Sequence, residues 1–114
     1  MGQADLPQSV PTVEGIAPRE AVTRLRLYVA RSTPNSVRAE HNLSVALEKM
    51  QGGSPTELEV IDVFLQPKRA ITDGVVVTPT LIGLGLNKRI MLMGDLADEE
   101  HLRRVLQDLV GVSP

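Results

Sequence analysis

The sequence predicts one α/β domain in three layers, a central sheet with helices on both faces, in the order βαβαββα. Three observations predict this class. The chain has 114 residues, a length that suits a single domain. Hydrophobic residues make up 42% of it, with one Tyr, one Phe and no Trp, so the core must be aliphatic. Two segments with strand-like patterns of apolar residues also lie on either side of a segment in which apolar residues recur at helical intervals, and this order is typical of a βαβ unit.

The regular pattern begins only after a segment rich in Pro and Gly. Residues 1–22 show no sustained helix or strand period, so we expect a flexible tail there. The folded domain is expected to span residues 23–112. Apolar and polar residues alternate over residues 24–30, which predicts a half-buried first strand.

A helix and a second strand are predicted next. Thr33 has the residue type that caps a helix, and Pro34 suits the first helical position. Apolar residues then recur at intervals of three and four, so one helix face should lie on the core. Residues 57–64 have the pattern of a strand, and the apolar pair Val60 and Ile61 predicts burial on both faces, as in a parallel sheet.

The second half of the domain is predicted to hold a short helix, a hairpin and a last helix. Residues 68–73 allow only a short helix, and the Pro of Thr78-Pro79 cannot make an ordinary central-strand hydrogen bond. A turn at residues 85–87 predicts a β-hairpin. A helical stripe follows the acidic residues 98–100, which favour the positive end of a helix dipole.

This order of elements is that of the thioredoxin-like fold. In thioredoxins the reactive Cys pair lies where the first strand meets the first helix, but this chain has no Cys, so we expect no thiol redox chemistry. Such folds also place a Pro, often with a cis peptide bond, before the third strand. Thr78-Pro79 stands at that position.

Composition and charge exclude several classes of function. A net charge of −2 argues against general electrostatic binding to nucleic acid. No apolar run approaches the roughly 20 residues of a membrane span, so we expect no membrane partner and a cytoplasmic protein. Two distant His residues give no metal site, and no phosphate loop, catalytic triad or paired carboxylates share a cleft. We therefore expect no cofactor and no enzymatic activity.

Five segments of the chain together carry a resemblance. They are Leu27-Tyr28-Val29-Ala30, residues 33–39, Val60-Ile61-Asp62-Val63, Thr78-Pro79-Thr80-Leu81 and Gly94-Asp95-Leu96. In this order and spacing, over about residues 24–110, the chain resembles the KaiB family of circadian clock proteins. The resemblance implies a non-enzymatic regulator that binds KaiC, a hexameric ATPase, and other clock or signalling proteins. It also implies two folds, a monomeric thioredoxin-like form that binds KaiC and a tetrameric ground-state form with the order βαββααβ.

With this resemblance, the expected contacts to a partner lie on an exposed sheet edge and on the first helix. The residues expected to bind the partner are Arg38, Glu57, Glu59 and Phe64. The residues expected to define the fold are Thr33, Pro34, Asp62, Thr78, Pro79, Gly94, Asp95 and Val105. Among these, Asp62 should cap a nearby loop or helix start, and Asp95 should help to start the last helix.

The chain departs from the family pattern at its basic positions. Gly83 stands where a basic residue usually follows Thr-Pro-Thr-Leu, and Glu59 replaces a familiar basic residue on the second strand. The usual basic pair beside Gly-Asp-Leu is displaced to Lys88 and Arg89. These departures bear on the electrostatics of docking to KaiC and suggest a divergent member with a different partner.

The last helix carries a further departure. Family members that rest in the ground-state fold tend to have a Gly where Val105 stands, and Gly costs a helix interior about 0.5–1 kcal/mol. We therefore expect the thioredoxin-like arrangement to dominate, and a strand within residues 98–110 would contradict this.

Two other interpretations stay open at this point. The chain could be a thioredoxin-like protein that binds glutathione, with Thr33 or Ser36 holding the thiol. It could also be a self-associating scaffold without a clock role, in which an edge strand pairs with a second copy to form a homo-oligomer.

Overall fold

The computed structural model describes residues 22–50, 55–85 and 87–111. The tail expected over residues 1–22 lies outside the described residues except for its last position. Seven elements follow one another in the expected order βαβαββα. They are β1 (Thr23–Val29), α1 (Pro34–Lys49), β2 (Thr56–Asp62), α2 (Pro67–Thr72), β3 (Thr80–Leu84), β4 (Arg89–Met93) and α3 (Glu99–Val110). The fold class is confirmed, and residues 99–110 form a helix rather than a strand.

The four strands form one mixed sheet in the order β2-β1-β3-β4. The neighbours β1 and β2 are parallel, as a βαβ unit requires, with Leu27 opposite Val60. Strand β3 runs antiparallel to both β1 and β4, and β3 with β4 forms the expected hairpin. In the described part of the chain, β2 and β4 are therefore the two edge strands.

The prediction that β2 is buried on both faces is wrong. Only Ile61 is fully buried in this strand, while Val60 is 41% exposed and residues 56–59 are exposed as well. The reason is the strand order, because an edge strand loses the cover that a central strand receives from elements on either side.

Helices cover both faces of the sheet, as expected. On the first face, Leu27 and Leu81 pack in one core cluster with Leu43 of α1 and with Leu106 of α3. On the second face, a smaller cluster is formed by Tyr28, Ile61, Ile82 and, from α2, Ala70. The larger core thus joins α1 and α3, and the smaller one joins α2 to the sheet.

The helix ends differ in part from the expectation. Helix α1 begins at Pro34, but the side chain of Thr33 makes no capping hydrogen bond, so that part of the prediction is wrong. Helix α3 is capped by Asp98, whose Oδ1 accepts a hydrogen bond from His101 N at 3.1 Å, rather than by Asp95. It ends at Gly111, whose φ of 87° is the left-handed geometry that glycine tolerates. No described helix is long and apolar enough to cross a membrane.

Candidate protein-docking surface

Strands β1, β2 and β4 all finish at the same end of the sheet. The chain leaves them through residues 30–33, 63–66 and 94–98, and we call these three loops, with the first turns of α1, the docking end. The Thr78-Pro79 bond enters β3 from the same end and is cis, in keeping with the position predicted for it. Loops at one end of a rigid sheet are the usual place for binding residues.

Phe64 is held outward at the docking end by a tight turn. Asp62 Oδ1 accepts a hydrogen bond from Phe64 N at 2.8 Å, and Asp62 O accepts from Gln66 N at 2.9 Å. Asp62 therefore orders the loop after β2. The turn leaves Phe64 61% exposed and its neighbour Leu65 72% exposed. An aromatic side chain fixed in this way can bury a large apolar area against a partner at small entropic cost.

Arg31 lies beside this aromatic ring. Its guanidinium carbon is 5.4 Å from the centroid of Phe64, within the range of a cation–π contact. Arg31 has a φ of 52°, and Leu96, in the loop after β4, has a φ of 62°. Non-glycine residues in this conformation are uncommon and carry strain, and both of these lie at the docking end.

Arg38, on α1, is joined to the loop that follows β4. Its Nε lies 3.3 Å from Asp95 Oδ2, and its Nη2 donates to the side chain of Asn35. Asn42 Nδ2 donates to Asp95 O at 2.9 Å, and Asp95 Oδ1 accepts from Ala97 N at 3.1 Å. Asp95 thus ties the loop to α1, and Arg38 remains half exposed with part of its guanidinium open to solvent.

Gly94 allows the sharp turn that precedes this carboxylate. Its φ of 106° lies in the region that glycine adopts without a steric penalty, and its N–H donates to Pro79 O at 2.9 Å. Gly94 and Pro79 therefore hold the ends of β4 and β3 together beside Arg38.

Glu57 and Glu59 do not join the docking end. They lie on the open edge of β2, on the face that carries α2. Glu59 pairs with Arg69 of α2 through two contacts of 2.5 and 2.8 Å, and this hydrogen bonding lowers the pKa of Glu59. Glu57 Oε1 lies 3.7 Å from Arg24 Nε. The four residues expected to bind a partner therefore fall into two patches.

The two hydroxyls proposed for thiol binding differ in their availability. Ser36 is buried, and its Oγ accepts a hydrogen bond from Ala30 N at 3.1 Å, so it links α1 to the end of β1. Thr33 lines an open cavity of about 270 Å³ together with Pro34, Asn35 and Thr78. Among the described residues, no group of three or more His, Asp and Glu could hold a metal ion.

Sequence reasoning missed a polar cluster beneath α2. The Tyr28 hydroxyl donates to Asp73 Oδ2 at 2.5 Å, and Arg26 Nη1 donates to the same oxygen at 3.0 Å. Arg89 Nη2 donates to Asp73 O at 2.9 Å. Alternation places Arg26 and Tyr28 on one face, but nothing local in the sequence brings Asp73 to them.

Burial and hydrogen bonding together set the protonation of this cluster. Desolvation, followed by the bond to Asp73, raises the pKa of Tyr28 to about 12. Burial alone would raise the pKa of Asp73, but the hydrogen bonds from Tyr28 and Arg26 outweigh it and lower that pKa. At neutral pH the cluster is therefore a neutral phenol and a guanidinium on one carboxylate.

The stability of the fold is expected to fall between pH 10 and pH 12. Below pH 10 the Tyr28 phenol is neutral in both the folded and the unfolded chain. Above pH 10 it ionises readily only in the unfolded chain, where its pKa is near 10.0. The loss should approach about 1.4 kcal/mol per pH unit until the folded pKa is reached. Denaturant titrations at pH 9 and 11 measure it.

Tyr28→Phe is the control for this pH dependence, because it removes the Tyr28 phenol and leaves in place all other groups that titrate at alkaline pH. Since Tyr28 is the single Tyr and there is no Trp, tyrosinate absorbance follows it directly. Ionisation of the folded protein at pH 10 would contradict the expected shift.

A family model and individual relatives match most of the chain. The family model, described as the KaiB domain, matches residues 26–108. A circadian clock oscillator protein KaiB from Prochlorococcus marinus subsp. pastoris is 43% identical over 78 residues, which cover 68% of this chain and 72% of that protein. One from Thermostichus vulcanus is 41% identical over 87 residues, 76% of this chain and 80% of that protein.

Solved structures with low sequence identity share the fold. The N-terminal domain of Synechococcus elongatus SasA matches with a TM-score of 0.70 and 24% identity, over 93% of this chain and 96% of that domain. A mutant thioredoxin from Halobacterium salinarum matches with a TM-score of 0.65 and 20% identity, over 81% of this chain and 78% of that one. These likenesses confirm the thioredoxin-like architecture.

Proposed function

Because the chain belongs to the KaiB family of circadian clock proteins, we propose that it acts as a non-enzymatic regulator that docks on a KaiC-type ATPase ring in the cytoplasm. The observation that carries this proposal is the exposed Phe64 beside Arg31 at the docking end. A partner held there would change the phosphorylation or ATP turnover of the ring, while this chain supplies contacts and no reacting group.

The docking end combines an apolar centre with charged surroundings. Phe64 and Leu65 are exposed in the turn after β2, and Val37 is exposed on the first turns of α1. Arg31 and Arg38 add positive charge at the same end of the sheet. Aromatic residues and Arg are the types most often found to dominate binding energy in protein interfaces, which supports this patch over the acidic edge of β2.

The three-dimensional packing gives a reason for one departure from the family pattern. A Cβ added at Gly83 would lie 2.5 Å from Leu109 Cδ2 of α3 and 3.0 Å from Ile90 Cγ1. A long basic side chain therefore cannot replace Gly83 without displacing those groups. Lys88 lies away from the docking end, before the first residue of β4, with its Nζ 2.7 Å from Asp108 Oδ2. We propose that Arg31 and Arg38 supply the positive charge for docking in this chain.

Removing the Phe64 ring is expected to weaken docking at least about tenfold, since well-packed interface aromatics commonly contribute more than that. The measurement is the dissociation constant of the full chain with a KaiC-type ATPase, by calorimetry and size-exclusion chromatography. The substitution is Phe64→Ala. Ile71→Ala is the matched control, because Ile71 is another exposed apolar residue, on α2 and away from the docking end.

The outcomes separate the proposal from its alternatives. If the native chain forms no complex with any KaiC homologue at about 50 μM, docking on such a ring is wrong. If a complex forms and Ile71→Ala weakens it as much as Phe64→Ala, the docking surface has been misplaced. Glutathione bound with micromolar affinity would favour the cavity beside Thr33 and a different function.

The thioredoxin-like arrangement is also proposed as the dominant state of the free chain. We expect one set of nitrogen–proton NMR peaks from the native protein. Val105→Gly should lower the free energy of unfolding by about 1–2 kcal/mol, because it adds backbone entropy to an α3 position and removes a half-buried side chain. Val105→Ala separates these effects, since it removes most of the side chain while the helix propensity of Ala is higher than that of Val. Two slowly exchanging peak sets in the native chain would contradict the proposal.

A further inference from the structure

A small cavity lies between α2 and β1, on the face of the sheet that carries the smaller core. Its volume is about 220 Å³, and the residues that line it are Arg26, Lys68, Arg69, Thr72 and Asp73. Cavities that take drug-sized ligands usually have a volume of about 300–1,000 Å³. This cavity therefore fits a ligand of only a few non-hydrogen atoms.

Positive charge predominates around the cavity. Four basic side chains lie in it or beside it, together with two carboxylates. The basic residues are Arg26, Lys68, Arg69 and Arg89, and the carboxylates are those of Glu59 and Asp73. The whole chain has a net charge of −2, so this local excess is opposite in sign to the overall charge. A cleft lined by one sign of charge attracts ions of the other sign.

Both carboxylates are already engaged by arginine side chains. The two oxygens of Glu59 accept hydrogen bonds from Arg69 at 2.5 and 2.8 Å. Asp73, whose side chain is only 16% exposed, accepts from Arg26 Nη1 at 3.0 Å and from the Tyr28 hydroxyl. These two pairs balance in charge, so the positive charge of the remaining basic side chains is left over.

Hydrogen-bond donors for a ligand are present on both sides of the cavity. Lys68 and Thr72 are four positions apart on α2, so their side chains lie on the same side of that helix. Lys68 forms no ion pair with any carboxylate in the described part of the chain. From β1, Arg26 donates to described residues through Nη1 alone, and a guanidinium has five N–H groups.

The carbonyl groups at the end of α2 are taken up by the backbone. Those of residues 69–71 accept hydrogen bonds from the N–H groups of residues 73–75, at 2.9 to 3.0 Å. The partial negative charge of a helix carboxyl end, which disfavours a nearby anion, is therefore offset here.

We propose that this cavity binds a phosphate group, free or as a small phosphomonoester, through Arg26, Lys68 and Thr72. Arginine and lysine are the side chains that proteins use most for phosphate, and the Thr72 hydroxyl adds a neutral donor. The ligand would link α2 to β1, and no bond is made or broken. This inference is independent of the proposed docking on an ATPase ring, because no residue of the docking end takes part.

Titration of the full-length chain with inorganic phosphate, followed by nitrogen–proton NMR, tests the site. At about pH 8 phosphate is a dianion, and we expect saturable shifts of the Arg26, Lys68 and Thr72 amide peaks. The expected dissociation constant is about 1 mM or lower. Sodium chloride at equal ionic strength is the control, since it screens charge without offering several acceptors. Glycerol phosphate is the second probe, and the tighter of the two ligands identifies the source of the phosphate group.

Two substitutions locate the bound phosphate. Lys68→Ala should weaken binding at least about fivefold and Thr72→Val about threefold, because each removes a donor to the anion. Arg104→Ala is the matched control, since it also removes one exposed positive charge but lies on α3, on the other face of the sheet. It should leave the dissociation constant unchanged. Circular dichroism checks that all three variants fold.

Three results would overturn the proposal. The first is that sodium chloride reproduces the shifts, or that they stay linear up to about 50 mM phosphate. The second is that Lys68→Ala and Arg104→Ala weaken binding equally, because the anion would then respond to net charge alone. The third is that the shifts centre on the first turn of α1, which would place the phosphate outside this cavity.

Discussion

Replacing Leu106 by Ala is expected to lower the free energy of unfolding by about 2–5 kcal/mol. Leu106 lies in α3, has no exposed surface, and belongs to the core cluster shared by α1, α3 and the first face of the sheet. Removing its branched side chain takes away apolar contacts and leaves a cavity that the neighbouring leucines fill only in part. Urea denaturation followed by far-UV circular dichroism measures the change.

Arg103→Ala is the matched control for this substitution. Arg103 lies on the same helix with its side chain exposed, so its loss should change the free energy of unfolding by less than about 0.5 kcal/mol. If Leu106→Ala costs no more than Arg103→Ala, α3 does not pack on the sheet as described, and the thioredoxin-like arrangement of this half of the chain would be wrong.

Replacing Asp73 by Ala is expected to cost about 2–3 kcal/mol at neutral pH. The substitution leaves the buried Tyr28 hydroxyl with one partner, the Arg69 carbonyl at 3.2 Å, and leaves Arg26 without its carboxylate. It also frees the end of α2 from β1. Equilibrium unfolding in urea measures the loss, and hydrogen exchange should show α2 opening first.

The contribution of Asp73 to the stability of the fold changes with pH in a defined direction. The folded pKa of Asp73 lies below its ordinary value of 3.8, so its contribution is complete above that pH and is lost as the pH falls through the folded pKa. Asp73→Asn should remove this part of the acid sensitivity. Asp108→Ala is the control, because its pair with Lys88 is exposed and should contribute less than about 1 kcal/mol. Equal losses from Asp73→Ala and Asp108→Ala would contradict the cluster.

The elements that could be predicted from sequence are those whose signals are local. The stripe of α3, its acidic first turn and its closing Gly111 all lie within a few residues of the helix. The hairpin of β3 and β4 is likewise indicated by its turn. Even here the predicted capping residue is wrong, because Asp95 and Asp98 both precede α3 and only the backbone path decides which one reaches the free N–H groups.

The features that could not be predicted depend on contacts between distant segments. Val60 and Ile61 are the residue types of a central strand. The position of β2 at the edge of the sheet depends on where β1, β3 and β4 lie, so the residues of β2 alone do not predict it. Asp73 reaches Tyr28 across 45 positions of chain. In the candidate site, sequence indicated Phe64 and Arg38, while Arg31 beside Phe64 emerged only once the loops after β1 and β2 were placed side by side.

If a partner binds at α1 as proposed, the link between Arg38 and Asp95 would make that binding and the folding of the carboxy-terminal segment thermodynamically dependent on each other. Arg38 and Asn42 of α1 both contact Asp95, just before α3. A ligand that binds α1 without breaking these contacts therefore also restrains the segment that leads into α3. By mass action, a saturating concentration of such a ligand would raise the melting temperature of the folded state that contains α3. The dissociation constant of a partner at the docking end would then depend on the free energy of folding of the carboxy-terminal half of the chain.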